Sequence, residues 1–151
     1  MKFDSVDAVL DFAITKEEDA ADFYTRMAAR MSRKNIREIF ERFALEEKSH
    51  KAKLEQVKAG KLMLTSKQKI LDLKIVDVMV DNRFDEGDFD VQDAMLAAMN
   101  SEKASFRLYN DLANATDNPE LKKTFLALAQ EEAKHKLQFE IDYDDHVFQE
   151  N

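Results

Sequence analysis

Two short stretches of sequence, EKSH at residues 47–50 and EAKH at residues 132–135, decide how this chain is organised. Each has a glutamate three residues before a histidine, so on an α-helix both side chains project from one face, one turn apart. A carboxylate oxygen and an imidazole nitrogen can then converge on one metal ion. In a chain with 36% charged residues, either stretch alone is more typical of a solvated helix face. Their meaning therefore depends on whether they occupy equivalent places in a repeat.

An internal repeat with a constant offset of 85 residues relates the two stretches. Both copies have a glutamate, a second glutamate thirty residues later, and a histidine three residues after that. The repeated residues form three pairs: Glu17 and Glu102, Glu47 and Glu132, and His50 and His135. The chain is therefore predicted to contain two helical hairpins, at about residues 5–59 and 90–144, joined by a crossover at about residues 60–89.

The composition predicts one all-α domain. The chain has 151 residues with only 2 Gly and 1 Pro, and this composition favours helix almost throughout. Four segments carry apolar residues at alternating steps of four and three, which is the pattern of helices packed in a bundle. We therefore expect a four-helix bundle.

Turn and capping residues predict the helix ends of the first hairpin. Asp4 and Ser5 are candidate N-caps for helix 1, and a polar break at residues 32–35 separates helix 1 from helix 2. Gly60 is a candidate C-terminal cap for helix 2. The following apolar segment, residues 70–80, is expected to be a short helix or an extended run within a crossover as long as the bundle. Such a crossover is predicted to let helix 3 start at the same end as helix 1.

The second hairpin has its own end signals. Asp90 is a candidate N-cap for helix 3. Asn118 is predicted to cap helix 4, with Pro119 at its first helical position. From Asp142 onward the sequence is acidic, and helix 4 is expected to fade there.

Charge and cysteine content exclude several function classes. A formal net charge of −8 argues against nucleic acid and anionic membrane surfaces as partners. The absence of cysteine excludes disulfides, thiolate catalysis and cysteine-ligated metal sites. The N-terminus lacks the pattern of a signal peptide, and no apolar run is long enough to span a membrane. The expected location is the cytoplasm.

The repeated glutamates and histidines lie on the apolar seams of the predicted helices. Four buried carboxylates would be strongly unfavourable if they were ionised and unpaired, and the seams offer no lysine or arginine partner. Two divalent cations would balance four negative charges and use both imidazoles as neutral ligands. Carboxylate-rich sites with one histidine per metal suit iron or manganese. The six candidate ligands are Glu17, Glu47, His50, Glu102, Glu132 and His135.

Two tyrosines share these seams. Tyr24 and Tyr109 each lie seven residues, or two turns, after a candidate ligand. Core filling with a satisfied hydroxyl is one interpretation. The other is a hydrogen bond to a ligand carboxylate, or a redox-active phenol beside the metals.

The remaining charged neighbours are predicted to lie at the surface. Glu18, Glu46 and Glu131 adjoin candidate ligands but point about 100° away from them, so they are expected to be surface or interface charges. His146 lies in the acidic C-terminal segment and is expected to be solvated.

At these residues the chain resembles the rubrerythrin family of the ferritin-like superfamily, over nearly its whole length. The resemblance rests on four motifs: Glu17-x-x-Ala20 with Tyr24, Glu47-x-x-His50, Glu102-x-x-Ser105 with Tyr109, and Glu132-x-x-His135. It implies a four-helix bundle around a non-haem centre of two iron ions, held by the six candidate ligands. It further implies that Glu47 and Glu132 bridge the metals, with Glu17 and Glu102 terminal. Members of the family commonly form homodimers, and many reduce hydrogen peroxide or react with oxygen.

The chain departs from the family pattern in two places. Rubrerythrins proper carry a rubredoxin domain with four cysteines, whereas this chain has no cysteine. They also carry an extra glutamate one turn after the helix-3 ligand, at the position of Ser105. Electrons would therefore have to come from an external donor, such as a rubredoxin-like protein or a flavin reductase.

Three functions follow as hypotheses. The first is a di-iron oxidoreductase that reduces hydrogen peroxide or oxygen. The second is an iron-binding, ferroxidase or storage protein without peroxidase turnover. The third is a dimanganese protein of the catalase type, because carboxylate and imidazole ligands alone do not separate iron from manganese.

Overall fold

The computed structural model describes the backbone of residues 2–3, 5–61, 71–72 and 91–150, and the side chains of residues 5, 7–60 and 91–145. Its four long helices are α1 (Val6–Arg30), α2 (Lys34–Gln56), α3 (Val91–Ala115) and α4 (Pro119–Glu150). Helices α1 and α2 pack as one hairpin, and α3 and α4 as another. The predicted all-α four-helix bundle is confirmed. No helix in the described ranges is both long and apolar enough to cross a membrane.

Side-chain caps begin two of the helices where the sequence predicts them. The Ser5 hydroxyl oxygen accepts a hydrogen bond from the backbone N–H of Ala8 at 3.1 Å. The side-chain amide oxygen of Asn118 accepts from the backbone N–H groups of Glu120 and Leu121, at 3.0 and 3.1 Å. Each cap satisfies N–H groups that have no partner within their own helix.

The first hairpin ends in a tight turn. Helix α2 continues into a π-helical turn at Val57–Lys61, in which Gly60 has a φ of 89°. Glycine adopts this left-handed conformation without a steric penalty, so its predicted place at the end of the helix is confirmed. Two short strands, β1 (Lys2–Phe3) and β2 (Leu71–Asp72), pair antiparallel. The predictions for the rest of the crossover and for Asp90 lie outside the described residues.

Two apolar layers show how the helices run relative to one another. At one end, the starts of α1 and α4 meet the ends of α2 and α3, through residues that include Leu10, Leu54, Leu112 and Phe125. At the other end, the ends of α1 and α4 meet the starts of α2 and α3, through residues that include Met27, Phe40, Met95 and Phe139. Helix α3 is therefore parallel to α2 and antiparallel to α1.

The prediction that helix 3 starts at the same end as helix 1 is wrong. Helix α2 ends at the opposite end of the bundle from where it began, beside the start of α1. Helix α3 begins at the other end of the bundle, where α2 starts and α1 finishes.

Helix α4 is longer than the sequence predicts, because it continues past Asp142 to Glu150. Phe139 is fully buried and Tyr143 packs against the same apolar layer, so the acidic segment is still anchored to the core. The Gln138 amide also donates a hydrogen bond to Asp142 at 3.1 Å, one turn further along the helix. These contacts stabilise the last turns of α4 by more than the run of acidic residues destabilises them.

Candidate metal centre

A layer of charged side chains lies between the two apolar layers. The structure brings all six predicted residues together there, and none is more than 7% exposed. Because the bundle is closed above and below by apolar side chains, the carboxylates and imidazoles face one another across its axis. The six residues come from all four helices: Glu17 on α1, Glu47 and His50 on α2, Glu102 on α3, and Glu132 and His135 on α4.

Two overlapping groups of potential ligand atoms form within this layer. In each group, one oxygen or nitrogen from every member lies within 4.8 Å of those of the others. Glu47 and Glu132 belong to both groups, whereas every other member belongs to only one of the two. The first group is Glu17, Glu47, His50 and Glu132, and the second is Glu47, Glu102, Glu132 and His135.

Both imidazoles direct the same ring nitrogen toward the carboxylates. His50 Nδ1 lies 2.7 Å from Glu132 Oε1 and 3.6 Å from Glu17 Oε2. His135 Nδ1 lies 3.1 Å from Glu47 Oε1 and 3.5 Å from Glu102 Oε2. The two rings are nearly parallel, with 5.6 Å between their centroids. Each histidine therefore lies near one carboxylate of its own hairpin and one carboxylate of the other hairpin.

Several of these converging atoms lack hydrogen bonds. Among the six candidate ligands, five buried atoms have none: Glu17 Oε2, His50 Nδ1, Glu102 Oε2, and both carboxylate oxygens of Glu132. His50 Nδ1 and Glu132 Oε1 are close, but not at hydrogen-bonding angles. Buried polar atoms are normally paired, so such a cluster needs another partner. Oxygen and nitrogen donors that point at a common centre fit a divalent cation.

Burial and mutual repulsion set the protonation of the carboxylates. Burial, together with the negative charge of Glu102, raises the pKa of Glu47 and of Glu132 well above the ordinary value for glutamate. Burial also acts to raise the pKa of Glu102, but contacts with Glu132 and His135 outweigh it and lower that pKa. In the absence of a cation, the layer therefore retains protons that a metal would displace.

The two tyrosines are hydrogen-bonded reciprocally across the bundle. The Tyr24 hydroxyl on α1 donates to Glu102 Oε1 on α3 at 2.5 Å, and the Tyr109 hydroxyl on α3 donates to Glu17 Oε1 on α1. This exchange follows from the antiparallel arrangement of α1 and α3. Burial and nearby carboxylates raise the pKa of both phenols well above 10, so they remain protonated donors. Any catalytic role for them stays a prediction.

Replacing Tyr24 by phenylalanine is expected to destabilise the metal-free protein by about 1–3 kcal/mol, because the ionised Glu102 loses a buried hydrogen-bond donor. Urea unfolding of the metal-free protein measures this difference. Tyr143→Phe is the matched control, since Tyr143 is only partly buried beside the same apolar layer. An equal loss of stability in both variants would contradict the role assigned to the Tyr24 hydroxyl.

The predicted surface position of Glu46 is corrected by its contact with one member of the charged layer. Glu46 was expected to be a surface or interface charge, but its Oε2 lies 2.5 Å from His135 Nε2 although its side chain is 41% exposed. Glu131, its counterpart in the repeat, groups with both His50 and His135. The sequence feature that could have indicated these contacts is the 85-residue offset between the two glutamates. Their approach to a histidine on the other hairpin depends on tertiary packing.

Glu18, another glutamate beside a candidate ligand, lies at the surface as predicted. The Glu18 side chain is 54% exposed and pairs with Lys51 at 3.4 Å, so it is a surface charge. Ser105 is half-buried on α3. The side chain of His146 lies outside the described residues.

A comparison with protein families decides which one this arrangement represents. The family model described as rubrerythrin matches residues 8–143. The chain belongs to the rubrerythrin family. The predicted resemblance is therefore confirmed, and the match includes all six residues of the charged layer.

Solved structures agree with this family assignment at the level of the fold. A Thermotoga maritima protein, named as a ferritin-like diiron-carboxylate protein, superposes with a TM-score of 0.81 at 20% identity, covering 93% of this chain and 95% of that one. A hypothetical protein from Pyrococcus furiosus gives a TM-score of 0.69 at 26% identity, covering 93% and 89% of the two chains. The bundle of this rubrerythrin-family chain is thus ferritin-like, as predicted. A comparison with curated proteins finds no match.

Proposed function

We propose that this member of the rubrerythrin family is a non-haem di-iron protein that reduces hydrogen peroxide or oxygen. The observation that carries the proposal is the pair of overlapping ligand groups that share Glu47 and Glu132. Two divalent cations would neutralise the four carboxylates and satisfy the buried atoms that lack hydrogen bonds. Two bound iron ions would supply electrons to an O–O bond and stabilise the oxide products.

The chain's own residues would divide the work of holding such a pair of ions. Glu47 and Glu132 would bridge the two positions, because each belongs to both groups. Glu17 and Glu102 would each serve one position, oriented by the hydroxyls of Tyr109 and Tyr24. Ligation by the six residues of both hairpins would also tie the bundle together around its centre.

The reductant would come from outside the described site. The chain contains no cysteine with which to build a rubredoxin-type centre. An external electron donor, of the rubredoxin-like or flavin reductase type, is therefore part of the proposal.

Oxidation kinetics test the proposed reaction. Anaerobic protein loaded with Fe(II) is mixed with hydrogen peroxide or with oxygen, and visible absorbance reports the oxidation of the iron. We expect oxidation faster than that of the same concentration of free Fe(II), followed by repeated turnover when an artificial reductant is supplied. The Glu47→Ala/Glu132→Ala variant is the control. A rate no faster than that of free iron would overturn the oxidoreductase proposal.

A second candidate is an iron protein that oxidises and holds iron without turnover. It is favoured by Ser105, which occupies the place where peroxide-reducing relatives carry a further carboxylate, and by the missing cysteines. Rapid oxidation in a single turnover, without continued peroxide consumption when reductant is added, would select this function. Metal analysis of protein from its native host distinguishes iron from manganese and so tests the dimanganese alternative.

Removing the Glu46 carboxylate should weaken metal binding without removing a ligand. Glu46→Ala is expected to lower the affinity of the metal beside His135 by about 10- to 100-fold. The Glu46 carboxylate lies 2.5 Å from Nε2 of that imidazole, without a hydrogen bond in the metal-free chain, and would orient the ring once Nδ1 binds a metal. Competition with a chromophoric chelator measures the affinity for the first and for the second metal ion. Glu18→Ala, which removes a surface carboxylate one residue after Glu17, is the control. Equal affinities in Glu46→Ala and wild-type protein would contradict this role.

Metal binding should also release protons and tighten as the pH rises. Burial alone would lower the pKa of His50, but the carboxylates of Glu17 and Glu47 outweigh it and raise the pKa to about 10. The metal-free imidazole is thus protonated at neutral pH, and bound metal must displace that proton. We expect higher affinity at about pH 8 than at about pH 6. Calorimetry in two buffers of different ionisation enthalpy counts the protons, and a count of zero would contradict the prediction.

A further inference from the structure

A cleft of about 430 Å³ between α3 and α4 is positively charged, although the chain as a whole carries a formal net charge of −8. Among the described residues, it is lined by the cations of Lys103, Arg107 and Lys136 and by one carboxylate, that of Glu140, which leaves an excess of two positive charges. Its volume lies within the range of about 300–1,000 Å³ that is typical of pockets for small molecules. The cleft is therefore suited to a small anion.

Two of these cations stand where the other repeat has acidic residues. The offset of 85 residues places Glu18 and Asp22 of α1 at the positions of Lys103 and Arg107 on α3. Lys103 and Arg107 are both exposed and lie one turn apart, so their like charges repel each other and mildly destabilise the helix. The hairpin does not require cations here, because its copy has carboxylates. An anion bound between the two cations would relieve their repulsion.

The exchange of charge also removes an ion pair between helices. In the first hairpin, Lys51 on α2 pairs with Glu18 on α1 at 3.4 Å. Lys136 on α4 is the counterpart of Lys51, but the counterpart of Glu18 is a lysine, and Lys136 pairs instead with Glu140 of its own helix. No ion pair is found for either cation of α3 among the residues that the structure describes. Both charges are therefore available to a ligand.

The apolar lining of the cleft is likewise found in the second repeat alone. Phe106 and Leu137 line it, and their counterparts in the first repeat are Ala21 and Ala52. Phe106 is half-buried and Leu137 is 57% exposed, so part of each side chain is open to a ligand. An aromatic ring can stack on a phenylalanine, and the guanidinium of Arg107 can donate two parallel hydrogen bonds to phosphate oxygens.

We propose that the cleft between α3 and α4 binds a small aromatic phosphate ester, with its phosphate between Lys103 and Arg107 and its ring against Phe106 and Leu137. A phosphate monoester carries a charge of about −1.5 to −2 near neutral pH, which matches the excess of two positive charges. The ring covers apolar side chains that the first repeat lacks. Binding requires no metal, so the site is independent of the proposed di-iron chemistry and can be tested on the full metal-free chain.

Flavin fluorescence tests the two parts of the ligand separately. Metal-free protein is titrated into flavin mononucleotide and into riboflavin, which has the same ring without the phosphate, and fluorescence anisotropy reports binding. We expect riboflavin to bind roughly tenfold more weakly, because it makes no charge-assisted hydrogen bonds to Lys103 and Arg107. Added sodium chloride should weaken the binding of flavin mononucleotide and leave that of riboflavin nearly unchanged. Absence of binding, or equal affinity for the two flavins, would overturn the proposal.

Exchanging residues between the repeats tests the position of the site. Lys103→Glu/Arg107→Asp introduces the residues of the first repeat and should weaken binding of flavin mononucleotide by roughly tenfold or more. Lys122→Glu/Lys123→Glu makes the same change in net charge at exposed positions of α4 outside the cleft, and should bind like the wild type. Leu137→Ala should weaken both flavins alike, by about threefold, with unchanged circular dichroism because this side chain is already exposed. Equal affinities in the two charge-reversal variants, or an unchanged affinity in Leu137→Ala, would place the ligand elsewhere and overturn the proposal.

Discussion

Replacing Glu47 and Glu132 together by alanine is expected to abolish the binding of both metal ions. Each residue contributes to both groups of ligand atoms, so the double substitution leaves each group with one carboxylate and one imidazole. Mass-spectrometric metal analysis after anaerobic loading and desalting should give two irons per wild-type chain and none in the variant. Full occupancy in the variant would refute the ligand assignment.

Matched controls separate this result from a general effect of lost acidity. Glu55 and Glu140 are another pair related by the offset of 85 residues, and their side chains are 54% and 42% exposed. Glu55→Ala/Glu140→Ala should retain both metals. Glu17→Ala and Glu102→Ala should each lose one metal, since each of these residues belongs to only one group. Loss of both metals in either single variant would mean that the two positions do not fill independently.

Saturating divalent metal is expected to raise the unfolding temperature of the wild-type protein by roughly 20 °C. A ligand at about 1,000 times its dissociation constant stabilises the folded state by about 4 kcal/mol per site. For a domain of this size each kcal/mol corresponds to about 2–4 °C. Calorimetry with and without metal measures the shift, and a chelator should reverse it. A shift of only a few degrees would contradict tight binding at the buried layer.

The same carboxylates should make the metal-free protein less stable than it could be. Burial and repulsion raise the pKa of Glu47 and Glu132, so the empty layer is an unfavourable environment for both charges. Glu47→Gln/Glu132→Gln is therefore expected to unfold about 5 °C above metal-free wild-type protein and to show no metal-induced shift. Glu55→Gln/Glu140→Gln is the surface control. A double glutamine variant less stable than the metal-free wild type would contradict this account.

Local chemistry made several features readable from the sequence. Asn118 caps α4 because its side chain reaches backbone N–H groups two and three residues away. Gly60 ends the first hairpin because its backbone adopts a positive φ. Periodic apolar residues placed Glu17 and Glu47 on buried seams, and the repeat placed their counterparts there too. In each case the deciding interaction lies within a few residues, or is copied by the repeat.

The features that the sequence did not determine depend on how the helices pack against one another. The direction of α3 follows from the end of the bundle at which it starts, and the seam residues alone are compatible with either direction. The reciprocal bonds of Tyr24 and Tyr109, and the approach of Glu46 to His135, join different hairpins and exist only once that direction is set. The repeat and its seams thus determined which residues form the charged layer, because periodicity is local. Tertiary packing decided which of them are in contact, because contacts across the bundle join residues that are far apart in the sequence.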